Sequence, residues 1–292
     1  MVKIITDSSC DLTRKILNRY NVSVVPLQIT CGDTTYKDGV DITSKMIFQW
    51  AEENKSIPKT AAPSLVDVVS VIRPYVENGT EVVCITISGE LSTTKNVFNL
   101  IADELNENEG KGKKKVHVVD SMSLSAGQGL LVIKAAILAK QGLSAMEIVK
   151  ELEAQRDNLS VSFIVDNLNF LYQGGRCSGL ELNVGKFLHI RPRISMKNGK
   201  LSQIRKYRGS MEQTIWAYTK DIENELENVD LDTDRCVLIH SDCDPELVKA
   251  TRMLLIEMGI FKEIVETEAG GLIASHCGPG ALGIMYMRKN LI

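Results

Sequence analysis

Apolar positions in the first half of the chain follow two alternating rhythms. Short β-branched runs at residues 4–6, 22–29, 81–87 and 116–120 read as buried strands. Between them, Leu12, Ile16 and Leu17, and later Met46, Ile47 and Trp50, recur at helical spacing, as do residues 127–138 and 144–152. Strands alternating with helices predict βαβ units and a mainly parallel sheet. Gly32-Asp33 predicts a turn into residues 34–36, and residues 59–64 read as a connector ending on Ser64, which can cap the next helix.

The second half changes character. A strand at 162–165 precedes a short helix at 167–172 that stops at Gly174-Gly175. Residues 193–197 and 201–205 flank Asn198-Gly199, a strong hairpin signal. Helices at 211–226 and 245–258 are set among strands at 236–240, 264–268 and 283–287. A hairpin with separate helices predicts α+β. The expected fold class is therefore α/β, with an N-terminal, mainly parallel α/β domain over residues 1–160 and a C-terminal α+β domain over residues 161–292.

Charge and composition narrow the function classes. The chain has 292 residues, with 34 Lys and Arg against 37 Asp and Glu, for a net charge of -3. Nucleic-acid binders present a basic face, and none is expected here. Apolar runs fall short of the roughly 18 residues of a membrane span, and the first residues read as a strand rather than a signal peptide. Seven cysteines, an odd number without a CxxC pair, indicate neither a disulfide framework nor a zinc site, so a reducing cytoplasm is the natural setting. None of the four histidines pairs at metal-ligand spacing.

Two glycine clusters invite a nucleotide reading. Gly127-Gln128-Gly129 would open a helix after a strand, but Val132 stands where a third glycine belongs and no suitable acidic residue follows. The plainer expectation is that these glycines ease a tight turn. Gly278-Pro279-Gly280-Ala281-Leu282-Gly283 fits the fingerprint literally but leads into a strand. Neither a P-loop nor a G-x-S-x-G elbow is present. A stand-alone enzyme with a nucleotide at the Gly127 turn is one alternative; a regulatory or partner-binding protein is another.

Open α/β sheets bind ligands at the carboxyl ends of their strands. Hydroxyls are predicted there repeatedly: Ser8 and Ser9, Ser88 and Ser92, Ser121 and Ser123, with Thr60 in a connector that could reach the same edge. Neutral hydroxyls and free helix N–H groups suit an anion that is held rather than attacked. Helix capping is the competing explanation; it is preferred for Ser64 and Ser123 and evenly balanced for Ser92. The second half adds Gly174-Gly175-Arg176, Arg191-Pro192-Arg193 and Arg205-Lys206-Tyr207-Arg208, with His276 beside the glycine-rich end. Arginine suits bidentate carboxylate or phosphate binding; surface arginines and a helix-ending Gly-Gly are the competing, preferred explanation on these residues alone.

Taken in order, Ile5-Thr6-Asp7-Ser8-Ser9, Pro58-Lys59-Thr60-Ala61-Ala62-Pro63-Ser64, Ile87-Ser88-Gly89-Glu90-Leu91-Ser92, Val118-Val119-Asp120-Ser121, Gly174-Gly175-Arg176 and the segment from His276 to Gly283 resemble the DegV family along essentially the whole chain. That family includes the acyl-binding subunits of bacterial fatty-acid kinase. The resemblance implies a long-chain, palmitate-like fatty acid buried between the two domains, and no other cofactor or metal. It implies that Thr60 and Ser92 bind the acyl carboxylate. It further implies that Arg176, Arg205 and His276 form the surface where a separate ATP-binding kinase subunit phosphorylates the acyl group. The chain would then be a cytoplasmic lipid-binding subunit with no catalytic residue of its own, touching membranes only transiently. Ala61, Ala62 and Gly89 replace polar residues usual in the family, and Thr93-Thr94 replaces its Gly-Thr.

Overall fold

The computed structural model describes residues 2–107, 114–166, 168–176 and 190–289. β1 (Lys3–Asp7) passes through a 3₁₀ turn into α1 (Arg14–Arg19) and β2 (Ser23–Val25). β3 (Gln28–Cys31), β4 (Thr34–Lys37), α2 (Ser44–Asn54) and β5 (Lys59–Ala61) follow. Next come α3 (Leu65–Glu77), β6 (Val82–Thr86), α4 (Thr94–Glu107), β7 (Val116–Asp120), α5 (Ser125–Lys140) and α6 (Ala145–Gln155). The remainder comprises β8 (Leu159–Ile164), α7 (Asn169–Gln173), β9 (Ile190–Lys197), β10 (Lys200–Arg208) and α8 (Met211–Leu226), then β11 (Leu231–Ser241), α9 (Pro245–Glu257), β12 (Glu263–Glu268), α10 (Gly271–Cys277) and β13 (Ala281–Arg288).

The first sheet is parallel, in the order β2-β1-β6-β7. Every residue of β1 and β6 is buried, as expected of strands covered on both faces. The predicted strand over 22–29 is split. Pro26 has no N–H to give to a ladder, so β2 ends before it. β3 leaves to form a three-stranded antiparallel sheet with β4 and β5. The connector that carries Thr60 is thus partly a strand.

The second sheet has six strands, ordered β10-β9-β8-β13-β11-β12, and is antiparallel except for the β11–β12 pair. Its faces alternate with the pleat. Ile164, Leu238, Ile284 and Tyr286 join the apolar cluster under α8 and α9. Val161, Val237, Ile239 and Met285 join the cluster built around α5.

α5 lies between the two sheets and is apolar nearly all round, as a helix covered on every side must be. Gly127 and Gly129 lie inside this helix and not in a turn before it. A Cβ on Gly127 would overlap Val161 and the Ser123 hydroxyl, and one on Gly129 would lie 2.8 Å from the Cys10 carbonyl oxygen. These glycines serve close packing, which explains why the nucleotide fingerprint around them is incomplete.

A candidate ligand site between the two sheets

In the strand order β2-β1-β6-β7 the connections diverge between β1 and β6, the place where open α/β sheets form a crevice. Here the crevice is plugged by protein. Asp7 accepts from the Ile87 N–H at 2.8 Å and from the Ser9 N–H at 3.0 Å, and Gln128 donates to the Thr6 hydroxyl at 2.9 Å. Burial raises the pKa of the Asp7 carboxyl. Most of the strand-end hydroxyls are engaged internally. Ser8 donates to Asp38, Ser9 to Gln128, Ser88 to the Gly199 carbonyl and Ser121 to the Ser123 carbonyl. Ser64 caps α3 as expected. Ser123 caps nothing: the residue before α5 is Leu124.

Beyond the plug lies a cavity of about 500 Å³, within the usual range for small-molecule sites. Its walls are mostly apolar, including Ile87 and Leu124 from one half and Phe163, Leu201, Ile239 and Leu272 from the other. Thr60, Ser92, Arg176 and His276 also line it, so four of the five residues singled out from sequence meet at one cavity. Arg205 is not among them. It stands opposite Arg193 in the ladder, after a register shift between Gln203 and Arg205. Arg193 itself reaches Ser162 and Glu225 under α8. Arg205 likewise pairs with Asp221 of α8, at 3.1 Å, on the sheet face turned away from the cavity. Arg191 is held by Asp166 at 2.7 Å.

The polar end of the cavity is assembled from distant segments. Thr60 Oγ1 lies 2.8 Å from His276 Nε2. Burial, reinforced by the charge of Arg176, pushes the His276 pKa down to about 3, so the imidazole is neutral near pH 7. Arg176 donates to the Leu91 carbonyl at 3.3 Å and to the Gly174 carbonyl at 2.5 Å. Both acceptors are backbone groups, and no carboxylate among the described residues neutralises this half-buried cation. Burial lowers its pKa. Ser92 accepts from the Thr94 N–H at 3.2 Å and shares a hydrogen bond with the Thr94 hydroxyl at 2.8 Å. It therefore both supports the start of α4 and lines the cavity. The Gly89 N–H faces Asp120 at 3.3 Å, so this position does not serve the cavity as a backbone donor.

The glycine motifs hold this end together by close approach. A Cβ on Gly174 would overlap the His276 ring, and one on Gly278, at φ +74°, would lie 2.6 Å from the Phe170 ring. α10, which carries His276, was not foreseen. Leu272, Ile273 and His276 at helical spacing before Gly278 were its signal. Asp11 and Asp38 were also missed. Asp11 accepts from the Gly270 N–H at 2.8 Å and from the Ser125 hydroxyl at 2.6 Å. Asp38 faces the N–H groups of Gly271 and Leu272, and burial raises its pKa to about 6. Together they seat the start of α10 against the N-terminal half.

All the described cysteines are free, and no described helix is long and apolar enough to cross a membrane. A family model described as an uncharacterised protein of the DegV family matches residues 1–289. A DegV domain-containing protein of Caldanaerobacter subterraneus is 30% identical over 290 residues, covering 99% of each chain. Among solved structures, a DegV family protein from Thermus thermophilus, described by its fatty acid binding, is 31% identical and covers 98% of this chain and 99% of its own, with a TM-score of 0.84. A stearic acid-binding protein from Eubacterium ventriosum is 26% identical over 99% of both chains, with a TM-score of 0.85. The order of the motifs, the paired sheets and these likenesses agree: the chain belongs to the DegV family.

Proposed function

We propose that this protein binds a long-chain fatty acid in the cavity between its sheets and presents the carboxylate to a separate ATP-dependent kinase, residues 1–160 and 161–292 acting as the two enclosing units. The observation that carries the reading is a mostly apolar cavity of about 500 Å³ with, at one end, a Thr–His pair and an arginine whose acceptors among the described residues are backbone carbonyls. A half-buried cation with no carboxylate partner among the described residues favours an anionic head group. A palmitate-length tail, at about 0.8 kcal/mol per buried methylene, supplies an upper bound of roughly 11 kcal/mol before binding entropy. The fatty-acid-binding relatives from Thermus thermophilus and Eubacterium ventriosum support the ligand class.

The head-group chemistry follows from a neutral His276. When its Nε2–H donates to Thr60 Oγ1, the Thr60 hydroxyl proton is free to donate to a carboxylate. Ser92 can turn its proton from Thr94 to the same ligand. In phosphoryl transfer a carboxylate oxygen attacks the γ-phosphorus of ATP; the new P–O bond forms as the bond to ADP breaks, giving acyl phosphate. Arg176 would steady the transferring group, and His276 would act on it through Thr60, holding that hydroxyl as a donor. Arg205, exposed beside α8, fits docking of the partner rather than contact with the carboxylate.

Mass spectrometry of an organic extract of the purified protein tests the ligand, which is expected to be a long-chain fatty acid. No lipid in repeated extracts and no binding on add-back refutes the reading. With kinase and ATP supplied, Arg176→Ala should abolish acyl-phosphate formation even at saturating fatty acid; full activity of that variant refutes the presentation step.

A further inference from the structure

Three cross-strand rows of the second sheet face the cavity side. Ser241 lies opposite Ala281; Phe163 and Ile239 lie opposite Gly283; Val161 and Val237 lie opposite Met285. The first two rows are built around small central residues. At Gly283 the sheet surface is bare, and an added Cβ would come within 3.0 Å of Phe163 Cβ and 3.2 Å of Ile239 Cγ2. A glycine inside a central strand marks a place where something approaches the backbone closely. In the third row the cavity ends. Met285 touches it, while Val161 and Val237 do not line it. Val161 is covered by α5, which Gly127 allows to come close. Met285 is 1% exposed and belongs to the solid cluster around α5. Ala281 and Phe163 belong instead to the cluster that includes Ile29, the ladder partner of Thr60. The polar end thus lies toward Ala281 and the blind end at Met285, four residues or about 14 Å further along β13.

We infer that Met285 is the stop of the acyl channel and Gly283 its narrowest floor, so that this pair sets the tail length the protein accepts; the inference rests on the fatty-acid reading above. Methionine, unbranched and flexible, makes a stop whose position depends on its rotamer. Each methylene denied burial lowers affinity about fourfold.

Competitive displacement of a fluorescent fatty acid by lauric, myristic, palmitic and stearic acids tests this on the wild type and on Gly283→Ala, Gly283→Val and Met285→Ala. The glycine variants should shift the ranking toward shorter acids and Met285→Ala toward longer ones, by about fourfold per methylene. If Gly283→Val does not fold, Gly283→Ala and Met285→Ala decide. An unchanged ranking in the folded variants, or a uniform loss across all four acids, overturns the stop while leaving fatty-acid binding intact. A wild type that binds none of the four overturns the underlying reading itself.

Discussion

Thr60 in β5 and His276 at the end of α10 are 216 residues apart in the chain, yet their hydroxyl and imidazole meet at 2.8 Å. This contact ties the small antiparallel sheet to the helix at the cavity mouth. Thr60→Val keeps the volume and deletes the hydroxyl, so palmitate affinity should fall about tenfold to a hundredfold, the worth of a hydrogen bond to a charged group. Ser92→Ala should give a loss of similar size. Isothermal titration measures both, and unchanged affinity in Thr60→Val would remove this residue from the head-group site.

Gly174→Ala is expected to act through His276. The added methyl overlaps the imidazole and lies 2.9 Å from the Phe170 carbonyl oxygen, so α7 or α10 must shift. We expect a destabilisation of about 1–3 kcal/mol by overpacking, together with loss of acyl-phosphate formation. Thermal melting and the coupled kinase assay read the two effects. A variant with wild-type melting and activity would show that the close approach is dispensable.

Two buried groups should give opposite pH dependences. His276 has a folded pKa of about 3, against about 6.5 unfolded. Between those values the unfolded chain binds the proton and the native chain does not, so this group makes stability rise with pH. Asp38 has a folded pKa of about 6, against about 3.9 unfolded. Over that window the native chain holds the extra proton, so this group makes stability fall as pH rises. Asp11, also raised by burial, acts in the same direction as Asp38. Denaturant melts between about pH 4 and pH 6 should therefore show His276→Asn flattening the acid loss and Asp38→Asn steepening it. Slopes that move together in the two variants would contradict the assignment.

The Asn198-Gly199 turn of the second half docks on the first. Ser88 donates to the Gly199 carbonyl at 2.7 Å, Lys200 pairs with Glu90 at 3.1 Å, and Gly199 adopts φ +75°. Gly199→Val adds backbone strain and a clash with Ser88. Bound fatty acid should then dissociate at least about tenfold faster, a rate that stopped-flow transfer to vesicles measures. Ser88→Ala should show a smaller change in the same direction.

The βαβ half was legible because strands buried on both faces and amphipathic helices leave simple periods. The hairpin was legible because Asn198 and Gly199 both take positive φ. The division of labour among the strand-end serines was not. Whether Ser88 faces a ligand or the Gly199 carbonyl depends on a hairpin more than 100 residues away. The opposite facing of Arg205 depends on a one-residue shift in β10, which flips every side chain beyond it and leaves no mark in residue types. Gly283 read as part of a false nucleotide motif, and only the rows across β8, β13 and β11 reveal the space beside it.

The hairpin latch has a further implication when set beside the seating of α10 by Asp11. Fastenings at separate points mean that the halves cannot swing apart by breaking a single bond; several must open in concert. The proposed cargo, enclosed in this way, should leave slowly on dilution and be released only where several of these contacts are loosened together, as expected of a courier rather than of a reservoir in rapid exchange.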